Sequence, residues 1–400
     1  MILGISIDEN FVYVSSDSDE KITQLPFAIG KNLANKSWFI GDEARVENVD
    51  NADIVIDKLF YLLENDGNAR IGDVTYEAKD LARIFFNNLM LKYDNVECAT
   101  VVVRKSNVKI LSKLKVALSQ NVENKNKYKV TTYSEAFIAY IRSREKEYYS
   151  NPIALFDFTA KALTYYELIR YKGIDDVEYW KVDTVEHLAL PLDLLSGETG
   201  KKVCDNLLYD FAKKCLKEEV YNNIILAGVG FEDTSSYREF MTYVCGLTDV
   251  NTDTSFFSKS ALILSRDILN NNVDKSIIYM TDARTTVSIK LNAIVNQTKT
   301  KIELVTPGEE WFNIYKKEFQ IIIEDESEVR FECLKVIEGV ISEFVISVPD
   351  SEKLRKDKSN LFSVSLTFLQ QNLLQVSLTD VGFGEFYEPV FKRISQDFNL

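Results

Sequence analysis

Two aspartates stand where an apolar run meets a turn. Asp8 follows Gly4-Ile5-Ser6-Ile7, and Asp157 follows Ile153-Ala154-Leu155-Phe156. Glu9 and Asn10 come directly after the first; Phe158, Thr159, Ala160 and Lys161 come after the second. A carboxylate at such a turn either caps its own backbone or serves a ligand. Lys161 is a compact point charge of the kind that meets a phosphate. Further on, Gly228 and Gly230 break the chain after the buried run Asn223-Ile224-Ile225-Leu226. Glycine there serves either a tight strand-to-helix turn with positive φ or a close backbone approach to a bound group.

Other chemistries find little support. His187 is the only histidine, so neither a second imidazole for a metal site nor a Ser-His-Asp arrangement is on offer. The five cysteines are odd in number and none lies in a C-x-x-C pair, which reads as buried thiols in a reducing compartment. There is no P-loop, Rossmann fingerprint or zinc spacing. Sixty-one acidic against 47 basic residues give a net charge of -14, which opposes nucleic acid and anionic membrane as partners. Met1 leads straight into Ile2-Leu3-Gly4-Ile5 with no basic leader and no long apolar span. The reading is therefore cytoplasmic, and the sequons at Asn35 and Asn296 read as silent.

The elements that must hold these residues alternate. Ile2–Ile7 and Phe11–Val14 read as a hairpin around Asp8, and Ile153–Phe156 with Leu163–Ile169 as a second one around Asp157. Ser37–Ile40, Glu97–Val103 and Tyr128–Thr132 read as strands. Leu81, Ile84, Phe85 and Leu89 share one face of a helix over Tyr76–Tyr93. Further helices are expected around Val108–Leu118, from an N-cap at Ser134 to about Tyr149, around Val203–Lys217 and over Ser258–Leu269. Strands alternating with helices imply an α/β layer with a mainly parallel sheet. After about Asn272 the pattern becomes strict alternation, as in Phe362-Ser363-Val364-Ser365-Leu366 and Leu374-Gln375-Val376-Ser377-Leu378. That predicts a separate antiparallel β domain, with Ser351–Asn360 as an exposed loop. The domains expected are 1–272, in halves of about 1–150 and 151–272, and 273–400.

The order of hairpin with Asp, second hairpin with Asp, then strand and glycine turn resembles the actin, sugar-kinase and heat-shock-chaperone ATPase superfamily. Within it the chain looks most like the DnaK-type chaperones. The resemblance rests on Gly4-Ile5-Ser6-Ile7-Asp8, Leu25-Pro26-Phe27, Gly41-Asp42-Glu43-Ala44, Ser134-Glu135-Ala136, Asp157 and Leu226-Ala227-Gly228-Val229-Gly230. In the β region it rests on Val305-Thr306-Pro307-Gly308, Phe344–Pro349 and Ser377-Leu378-Thr379-Asp380. It implies an α/β actin-like fold, duplicated from a ribonuclease-H-like half, followed by an antiparallel β-sandwich without a helical lid. It also implies ATP or ADP with magnesium as the cofactor. Asp8, Asn10, Asp157, Thr159 and Lys161 would lie at the phosphates and metal, Gly228 and Gly230 at the adenosine, and Glu135 near the γ-phosphate.

The departures from that pattern are chemical. Both phosphate loops of the superfamily carry glycines, which let backbone N–H groups reach phosphate without a Cβ in the way. Here Glu9 and Asn10 occupy the first loop, and the second has no glycine at all. A carboxylate about 4 Å from a phosphate charge costs roughly 1 kcal/mol in water and about 4 kcal/mol at an effective dielectric of about 20. The expectation is a chaperone-like protein with a degenerate ATPase domain that binds a protein or peptide client. A working magnesium-dependent ATPase and an actin-like filament or scaffold protein are the alternatives.

Overall fold

The computed structural model describes residues 1–46, 53–104, 108–119, 128–159, 162–173, 177–187, 197–217, 220–272, 274, 276–312, 317–323, 328–348, 360–382, 388–389 and 393–400. The chain divides into two compact units, Met1–Lys172 with Asp176–Ile277, and Ile278–Leu400 with Gly173–Asp175. Lys161, Pro349 and nearly all of the Ser351–Asn360 stretch lie outside the described residues.

The first unit opens with a meander, β1 (Ile2–Ile7), β2 (Phe11–Ser16) and β3 (Thr23–Pro26). A small insert follows: β4 (Ile29–Asn32), β5 (Trp38–Ile40), α1 (Asp42–Val46), β6 (Asp53–Ile56), α2 (Leu59–Glu64) and the hairpin β7 (Asn68–Ile71) with β8 (Val74–Glu77). Then α3 (Ala78–Met90), β9 (Cys98–Val103), α4 (Val108–Ser119), β10 (Tyr128–Thr132) and α5 (Tyr133–Arg142) complete the first half. The sheet order is β10-β9-β1-β2-β3, with β9 parallel to both β1 and β10 and the meander antiparallel. Every residue of β9, Cys-Ala-Thr-Val-Val-Val, is buried, as a strand covered on both faces requires.

The second half repeats that order. Its strands are β11 (Ile153–Phe158), β12 (Leu163–Lys172) and β13 (Glu178–His187), then β14 (Asn223–Ala227) after α6 (Glu198–Cys215), and β15 (Val250–Asp253) after α7 (Arg238–Leu247). They assemble as β15-β14-β11-β12-β13, again with an antiparallel meander and two parallel additions. An aromatic core of Phe156, Phe158, Phe211, Phe231, Tyr237 and Phe240 fills the space between this sheet and its helices.

The last helix of the unit, α8 (Phe256–Leu269), lies on the first sheet. Ser265 Oγ donates to Leu3 O at 2.7 Å, and Ser15 Oγ donates to Ser258 Oγ at 2.8 Å. The approach is so close that a Cβ on Gly4 would sit 2.1 Å from Leu262 N and 2.2 Å from Ser258 O. Gly4 is thus the position where helix backbone meets strand backbone.

Two expectations change. Ser134 is not an N-cap: Thr132, extended at φ -103° and ψ 166°, precedes α5 directly, because β10 runs straight into the helix. The same helix stops at Arg142 and not near Tyr149; Glu145 turns extended, and Lys146–Tyr149 forms only a 3₁₀ turn.

In the second unit, β16 (Ile277–Met280) leads into β17 (Val287–Val295), β18 (Thr298–Val305), β19 (Lys317–Ile322), β20 (Glu328–Lys335), β21 (Val340–Ser347), β22 (Leu361–Gln370), β23 (Leu373–Asp380) and β24 (Ile394–Asn399). The strands β17 to β24 form two four-stranded sheets, β18-β17-β20-β21 and β19-β22-β23-β24, antiparallel throughout. The apolar positions of the alternation are the core: Phe362, Val364, Leu366, Phe368, Leu374, Val376 and Leu378 are all buried, and Ser365 and Ser377 are buried with them. Phe344 of one sheet meets Phe398 of the other with ring centroids 4.6 Å apart.

The contact at Gly4 gives a stability prediction. Gly4→Ala places a methyl against two backbone atoms that cannot rotate away, so the strand and α8 must separate. The expected loss is about 3 kcal/mol or more, seen as a lower urea midpoint; an unchanged midpoint would contradict this packing.

Candidate functional site

The two equivalent hairpins carry Asp8 and Asp157 to facing sides of one narrow cleft in the first unit. Asp8, Tyr13 and Tyr133 line it from the first half; Asp157, Thr159 and Gly228 line it from the second; Ser255 and Phe257 at the start of α8 also border it. Its volume is about 20 Å³, room for little more than one water.

The aspartates do different work. Asp8 caps its own turn: Oδ1 accepts from Asn10 N at 2.8 Å and Phe11 N at 2.6 Å, and Tyr13 Oη donates to Oδ2 at 3.4 Å. Although Asp8 keeps partial solvent contact, the atoms crowded around it exclude enough water to raise its carboxyl above the ordinary 3.8. The hydrogen bonds from Phe11 and Asn10 and the charge of Arg104 act against that rise.

Asp157 is 1% exposed and meets Arg104, itself 7% exposed, with Nη2 donating to Oδ2 at 2.6 Å. Arg104 is the first residue after β9, so the contact joins the first half to the second. Burial opposes the guanidinium's charge, but Asp157 more than restores it, and Arg104 holds its proton more tightly than an ordinary arginine. Burial lifts the Asp157 carboxyl, with Arg104 countering the rise. Burial likewise keeps the Tyr13 and Tyr133 phenols protonated, the adjacent carboxylates adding to it. Tyr133 Oη donates to Ile7 O at 3.1 Å, and its ring stacks on Phe257 at 3.8 Å.

The glycine turn serves the fold. Gly228 has φ +87°, and a Cβ there would sit 2.4 Å from Phe158 O and 2.9 Å from Asp157 Oδ1. Gly230 lies under Phe158; a Cβ would sit 2.3 Å from its ring. Phe158 is fully buried in the aromatic core. The closely approaching group is therefore the adjoining hairpin of this same chain.

Thus Asp8, Asp157, Thr159 and Gly228 come together at the cleft, whereas Asn10 and Gly230 are not part of its lining. Thr159 N donates to Ala162 O at 3.0 Å within the β11–β12 turn. Glu135 is wholly buried in the first turn of α5 and pairs with Lys129 at 2.8 Å. His187 packs its ring against Phe211 at 5.1 Å. The sequence reading missed Arg104, Tyr13 and Tyr133. The available signal was position: Arg104 is a cation at the end of a wholly buried parallel strand.

The cation at Asp157 is Arg104, Asp8 is engaged by its own turn, and the cleft falls far short of the several hundred Å³ usual for a small-molecule site. Two buried polar atoms near the pair, Arg104 Nε and Thr164 Oγ1, make no hydrogen bond among the described residues. Thr164 is the cross-strand partner of Asp157 and so shares its face of the hairpin.

The raised Asp8 carboxyl sets a pH dependence. The native state binds this proton more tightly than the unfolded chain, so stability falls as pH rises from about 4 through the raised value and then levels. Asp157 adds to the same slope. Asp8→Asn keeps an oxygen for the Asn10 and Phe11 amides but cannot ionise. Urea midpoints measured between pH 4 and 8 are expected to fall less with pH in the variant. A slope unchanged from the parent would show that Asp8 titrates as in the unfolded chain.

Residues 10–282 match the C-terminal model of a family of unknown function, DUF5716. Residues 284–400 match a domain of unknown function, DUF8552. No curated protein matches the chain. Among solved structures it is similar to an apo psk41 parM protein, at 12% identity and a TM-score of 0.44, over 68% of this chain and 98% of that one. No helix among the described residues is long and apolar enough to cross a membrane. With the first match spanning most of its length, the chain belongs to the DUF5716 family.

Proposed function

We propose that this chain is a partner-binding protein whose first unit keeps the architecture of an actin-type ATPase but does not use nucleotide. The observation carrying this reading is the Arg104–Asp157 ion pair at a cleft of about 20 Å³. The chain's own guanidinium holds the carboxylate that a nucleotide-bound cation would need. The repeated strand order of the two halves supports the actin-type architecture, as does the resemblance of the two Asp hairpins and the glycine turn. The partner proposed is a protein or peptide, bound through the β-rich second unit. The reading takes that role from the DnaK-type resemblance and from a net charge of -14 that disfavours nucleic acid.

Titration calorimetry of ATP and ADP into the full chain, with and without magnesium, tests the nucleotide half of the proposal. No heat and no thermal shift are expected. A ligand at about 100 times its dissociation constant would add about 2.7 kcal/mol of stability, so a melt cross-checks the result. Magnesium-dependent phosphate release that disappears in Asp8→Ala would overturn the proposal in favour of a working ATPase.

A further inference from the structure

We infer that Arg104 and Asp157 form a latch across the cleft of the first unit, holding its halves closed without any bound ligand. The chain crosses between the halves three times, the last after α8, where Ser276 O accepts from Glu178 N of β13 at 2.7 Å. It leaves α5 through 143–152 into β11, and it returns from β15 through Thr254 and Ser255 into α8. Because α8 is fastened to β2 through Ser258 and to β1 and β9 through Ser265, it moves with the first sheet. The second sheet, with α6 and α7, is then the other body, and Arg104–Asp157 is a direct charged tie between them.

The surroundings suit a latch more than a permanent core contact. A well-built structural ion pair has its remaining donors satisfied. Among the described residues Arg104 Nε makes no hydrogen bond, nor does Thr164 Oγ1 on the face that Asp157 occupies. Both charges are dehydrated in the closed state, and opening would return them to water. The attraction and the hydration they forgo therefore nearly offset each other, which leaves the closed state open to adjustment. The hairpin backbone reinforces the tie's position: Asp157 Oδ1 lies beside Gly228, so the carboxylate is fixed between β11 and the turn after β14.

Amide hydrogen exchange on the full chain tests this. Arg104→Gln and Asp157→Asn each leave one partner without its mate in the closed cleft. Each is expected to speed exchange of the β11 and Gly228–Phe231 amides about tenfold, with α3 and α4 unchanged. The double variant should be no faster than either single one, because both remove the same tie. Arg104→Lys keeps a charge but loses the planar fork, and a smaller acceleration is expected. Should Arg104→Gln fail to fold, Arg104→Lys and Asp157→Asn decide the matter by the same readout. Parent rates in the single variants would overturn the latch. So would effects that multiply in the double variant, or acceleration spread evenly over the first unit. Nucleotide binding by the parent protein would overturn the proposed function and leave this exchange comparison intact.

Discussion

Two opposite charges sealed from water, the Arg104 guanidinium and the Asp157 carboxylate, constrain everything around the cleft. Neither can be left alone there, since an unpaired buried charge costs several kcal/mol. Their pairing therefore fixes the distance between the end of β9 and the end of β11, and with it the width of the cleft. Tyr13 and Tyr133 respond to the same dryness. Their phenols remain protonated donors, and Tyr133 is held between Ile7 O and the Phe257 ring.

The geometry that brings the pair together is built from two like sheets and one crossing helix. In each half a meander is extended by two parallel strands, so the first strand lies in the middle and its end faces the cleft. α8 then leaves the second half and covers the first sheet, which only a glycine at position 4 permits. Once α8 is seated, Thr254 and Ser255 are brought to the cleft and the two Asp hairpins face one another.

Much of this was legible because its causes are local. An apolar run ending in Asp, followed by a β-prone run, encodes a hairpin wherever it stands, and both hairpins form where read. The apolar positions of Phe362–Phe368 and Leu374–Leu378 are likewise all buried, with Ser365 and Ser377 buried between them. The strand β13 was passed over because Trp180 and Val182 are its only buried residues and charged neighbours blur the alternation. The hairpin β7–β8 was passed over for a similar reason, with only Ile71 buried. Arg104 was illegible for a different cause. Its partner lies 53 residues away, and no short pattern announces that a strand-end cation will find a particular carboxylate. The glycine turn falls between these cases: the positive φ at Gly228 was readable from residue type, while the group it makes room for is the hairpin of Asp157 and Phe158, visible only in three dimensions.

The charge balance of the cleft bears on what it can accept. Asp8 and Asp157 face it, and Arg104 compensates one of them. Among the described residues Asp8 accepts from two backbone amides and a distant phenol, so an added polyanion would confront an acid as well as a closed wall. A magnesium ion accompanying that polyanion would have to compete with Arg104 for Asp157, at the cost of that ion pair. Glycine-free loops cannot repay that cost with backbone donors, because Phe158 is already committed to the aromatic core. The glycine-free loops and the internal cation thus act in the same direction. Together they tie the protein's own two halves at the cleft.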